Sequence, residues 1–231
     1  MIGIIGAMEE EVAALREEME GVREEKRAGL TFCLGRLKGQ EAAVVCGGVG
    51  KVNAAICAQI LISEFGVRAL LNTGVAGGLL PTLHIGDIVL STEARYHDYD
   101  VTPLGFAPGE MMGMDVSVFP ADEGLLALAR ESCRRLFPEK MCHTGRVVSG
   151  DQFITGRENQ ERLRTVWGGA CAEMEGASIA HTAYLNGVPW LIVRAISDGA
   201  DDDSPMDFQE FKDMAIQNGC RLILDMLAHM A

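Results

Sequence analysis

The chain has 231 residues, of which 48% are hydrophobic, and a formal net charge of −13 at pH 7. This length can bury a sizeable core, and the hydrophobic content excludes an intrinsically disordered chain. The acidic balance argues against binding of long nucleic acids, which need a basic surface, but it does not exclude a nucleoside, which carries no phosphate. No run approaches the ~20 apolar residues of a membrane-spanning helix, so we expect no membrane partner.

Seven cysteines are present, and none forms a Cys-x-x-Cys pair. An odd number without a disulfide framework is typical of a reducing compartment, so we expect a cytoplasmic protein. Residues 1–7 are apolar but too few for a signal peptide, and three glutamates follow at 9–11.

The first half of the chain alternates short apolar runs with helical patterns. The predicted elements are a buried strand at 2–6, an amphipathic helix at 8–20, a strand pair at 30–37 and 41–46, a helix at 51–65, a short strand at 67–72 with a small-residue turn at 73–78, and strands at 85–91 and 93–101.

The second half continues the alternation. The predicted elements are a loop at 103–114, a helix at 121–137, a strand at 144–149, a helix at 175–185, a strand at 189–197 and a long helix at 207–230. The acidic run at 201–203 is expected to be a solvated loop. The alternation predicts a single α/β domain, spanning 1–231, with a mixed sheet.

Carboxylates stand where apolar runs end. Glu173 and Glu175 follow the run at 169–172, Asp198 closes the run at 190–197, and Glu11 follows the first strand. Open α/β sheets build their sites at the ends of strands and the starts of helices. Acids at these three places indicate general acid–base chemistry on a small polar ligand.

Several common motifs are absent or incomplete. The glycine-rich segment at 47–51 is not a phosphate-binding loop, because Val52 stands where Ser or Thr is required and Val45 where Gly is required. The histidines show no zinc-binding spacing and there is no Gly-x-Ser-x-Gly, so neither a metal site nor a serine nucleophile is predicted. Phe153 either stacks on a flat ring or belongs to the core, and the sequence leaves both open.

Seven segments together resemble the 5′-methylthioadenosine/S-adenosylhomocysteine nucleosidases of the purine nucleoside phosphorylase-like superfamily. In the family's order they are IIGAMEEE (4–11), GVGKV (48–52), NTGVAGG (72–78), ARYHDYDV (94–101), VSGDQFI (148–154), EME (173–175) and RAISD (194–198). The resemblance implies a three-layer α/β/α sandwich around a mixed, partly parallel sheet, a homodimer, and no cofactor. It also implies hydrolysis of the N-glycosidic bond of 5′-substituted adenosines to adenine and a 5-substituted ribose.

The resemblance also implies roles for the polar residues. Asp198, with Ser197 as its hydrogen-bonding neighbour, would protonate adenine N7, since burial at a strand end raises the pKa of a carboxyl group. Glu11 would activate water, its ionised form being favoured by the helix dipole, and Arg194 would orient Glu11 or the water. Glu175 would accept a hydrogen bond from a ribose hydroxyl.

Apolar contacts with the substrate are implied as well. Phe153 would stack on adenine, and the backbone of Ile154 would read the edge of the base. The sugar and the 5′ side would be lined by Met8, Val49, Met174 and Phe208, and the 5′-alkylthio pocket of the partner subunit by Val101, Leu104 and Phe106. Further binding positions are Val75, Ala76, Gly77 and Glu173. Many family members carry Ser where this chain has Val75, which leaves the water network open.

Three alternatives remain. A nucleosidase that prefers aminofutalosine, a menaquinone precursor, would use the same acids, and the sequence does not decide the 5′ substituent. A purine nucleoside phosphorylase would need arginines for phosphate, but none lies within 70–74, and Glu10 and Glu11 would repel phosphate. A non-catalytic nucleoside-binding module would be expected to lack one of the acids.

Overall fold

The computed structural model describes residues 1–200 and 204–230, so the expectation for 201–203 lies outside the described residues. The strands are β1 (Ile2–Gly6), β2 (Glu20–Arg27), β3 (Leu30–Leu37), β4 (Gln40–Cys46), β5 (Ala69–Gly78), β6 (Ile88–Tyr96), β7 (Phe119–Pro120), β8 (Cys142–Ser149), β9 (Gly169–Glu173) and β10 (Trp190–Asp198). The helices are α1 (Glu9–Glu17), α2 (Lys51–Ser63), α3 (Glu123–Leu136), α4 (Arg157–Thr165), α5 (Gly176–Asn186) and α6 (Ser204–Ala228).

The strands form one mixed sheet that partly closes on itself. At its centre, β5 pairs in parallel with β1 and β10, and its last residues, Gly77 and Gly78, pair antiparallel with β9. From β10, the strands β6, β8 and β9 complete a ring back to β5, while β4, β3 and β2 extend the sheet beyond β1. The carboxyl ends of β1, β5 and β10 therefore meet at one edge, beside the end of β9.

Helices cover both faces of the sheet. One layer contains α2 and α5, which pack on each other, and the other contains α1 and α3, which both pack on α6. The core between the layers is apolar, with Ile4, Leu71 and Val193 fully buried on the central strands. This arrangement confirms the expected three-layer α/β/α fold around a mixed sheet. None of the helices within 1–200 and 204–230 is long and apolar enough to cross a membrane.

Three element predictions are wrong in detail. The turn predicted at 73–78 is the second half of β5, because its small residues let β10 and β9 pair with it. The strands predicted at 85–91 and 93–101 are one strand, β6, with an irregularity between Ser91 and Glu93. The helix predicted at 8–20 ends at Glu17, and a highly charged edge strand, β2, begins at Glu20 and pairs with β3.

Candidate active site

A pocket opens at the edge where β1, β5, β9 and β10 end. It is lined by Ala7, Met8, Glu11, Val49, Val75, Ala76, Gly77, Gln152, Phe153, Ile154, Ala172, Glu173, Met174, Glu175, Ser197, Asp198 and Phe208. Of the predicted site residues, those outside this lining are Arg194, Val101, Leu104 and Phe106. Ala7, Gln152 and Ala172 line the pocket without having been predicted, although each directly precedes a predicted site residue in the chain.

Glu11 is buried in the first turn of α1, and backbone groups hold both of its carboxylate oxygens. Its Oε2 accepts hydrogen bonds from the N–H groups of Ala7 (2.7 Å) and Met8 (3.0 Å), and its Oε1 accepts one from Val75 (3.1 Å). Burial raises the pKa of Glu11, although Arg194 and these hydrogen bonds oppose the rise. Desolvation is therefore the dominant influence on the pKa of Glu11, and it raises that pKa.

Arg194 lies buried beside the carboxylates. Its Nη2 donates to Asn72 Oδ1 (2.5 Å) and to Glu173 Oε2, and lies 3.9 Å from Glu175 Oε2. Burial lowers the pKa of Arg194, but Glu173, Glu175 and Glu11 outweigh this effect and leave the pKa above its ordinary value. A buried guanidinium is tolerated because it is paired with carboxylates and hydrogen-bonded.

Glu173 and Glu175 flank the turn from β9 into α5. Glu173 accepts a hydrogen bond from Ser149 Oγ, and its Oε2 accepts from the N–H groups of Glu175 (3.1 Å) and Gly176 (2.8 Å). Glu175 Oε1 accepts from the N–H of Gly50 (2.8 Å). Burial, followed by the negative charge of Glu173, raises the pKa of Glu175 to about 7. Glu173 thus orders the turn, whereas Glu175 titrates near neutral pH.

Asp198 is buried at the end of β10, where the pairing with β5 becomes irregular. Its Oδ2 accepts a hydrogen bond from Ser197 Oγ (2.9 Å) and its Oδ1 accepts one from the N–H of Ala200 (2.9 Å). A Cβ at Gly77 would lie 2.9 Å from Asp198 Oδ1, so this glycine makes room for the carboxyl group.

Phe153 lies at the pocket rim with 49% of its surface exposed, so the structure does not place it in the core. Its ring stands nearly perpendicular to that of Phe208, at an interplanar angle of 83° and a centroid distance of 5.7 Å. An exposed aromatic face beside an apolar pocket is suited to stacking on a flat ring.

The loop residues assigned to a partner's pocket lie apart from this one. Val101, Leu104 and Phe106 do not line the pocket of their own chain, and Leu104 is 66% exposed. Their contact with a second subunit stays a prediction.

Comparison with known proteins agrees with this fold. The model of the phosphorylase superfamily matches residues 1–228. The 5′-methylthioadenosine/S-adenosylhomocysteine nucleosidase of Geobacillus kaustophilus (strain HTA426) is 42% identical over 228 residues, which are 98% of this chain and 96% of that protein.

Solved structures give the same result. The nucleosidase of the same name from Neisseria meningitidis, in complex with methylthio-immucillin-A, has a TM-score of 0.95 at 34% identity and 99% coverage of both chains. Futalosine hydrolase of Helicobacter pylori strain 26695 has a TM-score of 0.93 at 31% identity, covering 99% of this chain and 97% of that one. The chain belongs to the phosphorylase superfamily and, within it, to the 5′-methylthioadenosine/S-adenosylhomocysteine nucleosidase family.

Proposed function

We propose that the chain hydrolyses the N-glycosidic bond of 5′-methylthioadenosine and S-adenosylhomocysteine, releasing adenine and the 5-substituted ribose. The observation that carries the proposal is that one pocket brings together Glu11, Glu175 and Asp198 beside the exposed ring of Phe153. Carboxyl groups for protonating the leaving adenine and for activating water, together with an aromatic surface for the adenine ring, thus share one site.

Departure of adenine requires a general acid. Adenine leaves poorly as an anion, and a proton on N7 makes it a neutral leaving group. Asp198 supplies this proton, and the hydrogen bonds from Ser197 and Ala200 hold its carboxyl group in place. Phe153 stacks on the base, and the backbone of Ile154 reads its edge.

Attack by water requires a general base. As the bond between C1′ and N9 breaks, positive charge develops on the ribosyl group, as in glycoside hydrolysis. Glu11 takes a proton from the water whose oxygen bonds to C1′, and the upward-shifted pKa of Glu11 makes its carboxylate a stronger base. Glu175 accepts a hydrogen bond from a ribose hydroxyl.

Water is a better nucleophile for this pocket than phosphate. Among the described residues that line it there is no Arg or Lys, whereas four carboxylates are present: Glu11, Glu173, Glu175 and Asp198. The ionised groups among these four would repel phosphate, and the buried Arg194 behind the lining is already paired with Glu173.

The structure of futalosine hydrolase favours a second candidate function. Its high similarity shows that this fold also occurs in a protein that is named for a different substrate. An enzyme that prefers aminofutalosine would use the same acids with a different 5′ contact. The ratio of kcat/KM values for aminofutalosine and 5′-methylthioadenosine separates the two.

A homodimer is part of the proposal. Val52 and Ile56 lie exposed on α2, and Val49, two residues before α2, lines the pocket. An apolar patch beside a pocket is suited to contact with another protein surface. The loop with Val101 and Leu104 from a second copy would then complete the 5′ side of the pocket.

The test is adenine release from 5′-methylthioadenosine in phosphate-free buffer, with S-adenosylhomocysteine, aminofutalosine and inosine in parallel. We expect rapid release that added phosphate does not change and that Asp198→Asn abolishes, with a drop of ~10²–10⁴-fold in kcat. Release that requires phosphate would overturn the hydrolytic proposal, and tight adenosine binding without turnover would indicate a binding module.

A further inference from the structure

Asn72 lies behind the pocket, in the middle of β5, and does not line it. It is 1% exposed, and both ends of its amide are used. Its Nδ2 donates to the carbonyl oxygen of Ile5 (2.9 Å), and its Oδ1 accepts from Arg194 Nη2 (2.5 Å). Asn72 therefore joins β1 to the guanidinium of β10 across the strand between them.

The other side of the guanidinium is turned toward Glu11. Within the part of the chain that the structure describes, Arg194 Nη1 and Nε have no hydrogen-bond partner. A Cβ at Gly74 would lie 2.9 Å from Arg194 Nη1 and 2.6 Å from Glu11 Oε1. Nη1 and Oε1 therefore lie close together on the same side of Gly74, at a position where any side chain would clash with both atoms. A buried donor without a partner is energetically unfavourable, so Nη1 is suited to donate to an oxygen atom placed beside it.

We infer that Asn72 is a positioning residue: by holding Nη2 of Arg194, it keeps Nη1 directed at the space beside Glu11 Oε1, where Nη1 donates a hydrogen bond to the reacting water. The inference rests on the proposed hydrolytic function. Val75 offers no hydroxyl at this place, so the water must be held by other groups. In this inference the oriented guanidinium of Arg194 holds the water next to Glu11, which acts as its base.

A neutral amide suits this position. Arg194 already faces Glu173, Glu175 and Glu11, and a fourth carboxylate at 72 would draw the guanidinium toward β5. It would also weaken the attraction that Arg194 exerts on the ionised form of Glu11, so the pKa of Glu11 would rise further. Asp is close to Asn in shape, so Asn72→Asp changes the charge with little change in volume.

Of the other ionisable groups around Glu11, the two nearby thiols do not obscure this effect, whereas Glu175, whose pKa is raised to about 7, titrates in the same range and contributes to the acidic limb. These groups are Glu173 and Glu175 near Arg194, together with the thiols of Cys46 on β4 and Cys220 on α6. Burial raises the pKa of Cys46 and raises that of Cys220 to about 11, so both thiols stay uncharged between pH 5 and 8.

The experiment measures kcat and KM for 5′-methylthioadenosine from pH 5 to 9 in the wild type and three variants. Asn72→Asp should move the acidic limb of kcat/KM, where Glu11 must lose its proton, upward by about half a pH unit or more. Asn72→Ala should lower kcat ~10-fold with KM changed less than about twofold and the limb in place. The matched control is Ser91→Ala, which removes a buried hydroxyl bonded to the N–H of Ile192 on β10 and should leave both kcat and the limb unchanged.

Thermal unfolding of each variant shows whether it is folded. If Asn72→Asp does not fold, the kcat of Asn72→Ala alone tests whether Asn72 is a positioning residue. Folded Asn72 variants with wild-type kcat and an unmoved limb, or with a change in KM alone, would overturn the inference. If the wild type hydrolyses the substrate but the Asn72 variants behave like it, only the role of Asn72 is wrong. If the wild type itself releases no adenine, the proposed hydrolytic function is wrong.

Discussion

The backbone N–H of Gly50 donates a hydrogen bond to Glu175 Oε1 at 2.8 Å, although 125 positions separate the two residues in the chain. Gly50 has a φ of 96°, which glycine adopts far more readily than other residues. The bond joins the start of α2 to the start of α5 and holds one oxygen of a carboxyl group whose pKa burial raises to about 7.

This shift predicts a pH-dependent cost of burying Glu175. The folded-state pKa is about 7 against an ordinary 4.5, so the contribution of Glu175 to stability is fully present below pH 4.5 and is lost as the pH rises through 7. Glu175→Gln keeps an acceptor for Gly50 and stays neutral. We expect the variant to gain on the order of 1–3 kcal/mol relative to the wild type between pH 5 and pH 8, or several °C in Tm.

Thermal unfolding of the unliganded proteins across this pH range provides the measurement. Glu131→Gln, a change at an exposed position on α3, is the control and should show no such trend. A difference in Tm between Glu175→Gln and the wild type that does not change with pH would show that Glu175 is ionised throughout.

Glu11→Gln should lower kcat by ~10²–10⁴-fold, because an amide cannot take a proton from water. Its oxygen can still accept from Ala7 and Met8, while its NH₂ group would face the N–H of Val75, so the loss of stability should be only ~1 kcal/mol. Single-turnover kinetics and calorimetric binding of a non-cleavable nucleoside analogue measure the two effects. Activity within tenfold of the wild type would remove Glu11 from the role of base.

Phe153→Leu should raise KM by ~5–100-fold with little change in Tm, because base–aromatic stacking contributes about 1–3 kcal/mol and the side chain is half exposed. The matched variant Phe153→Tyr keeps the ring and should bind substrate nearly as the wild type does. Steady-state kinetics on 5′-methylthioadenosine measure both. Equal KM values for the Leu and Tyr variants would argue against stacking.

Val52→Glu tests the proposed dimer, since Val52 is 69% exposed on the apolar face of α2. A charge there should convert dimers to monomers in sedimentation experiments and raise KM through loss of the partner's loop. Val22→Glu, on the edge strand β2, is the control and should leave the mass unchanged. A wild type that sediments as a monomer at working concentration would contradict the proposal.

The sequence by itself determined the elements formed by unbroken apolar runs, such as β1 and β10, and the α/β class. Its motifs were specific enough to assign the family and to name Glu11, Glu175 and Asp198, because these acids occupy recognisable places at the ends of apolar runs. The local sequence was sufficient to select these acids because the residues next to them in the chain form the motifs.

Only the tertiary structure decided the features that depend on distant residues. The segment at 73–78 is a strand because β9 and β10 pair with it, and β2 is a strand because β3 pairs with it. The link from Asn72 to Arg194 likewise joins groups that are remote in the chain, and the raised pKa of Glu175 arises first from its burial in the folded protein. Hydrogen bonding across strands and desolvation both depend on which surfaces meet, and the sequence around a residue does not contain that information.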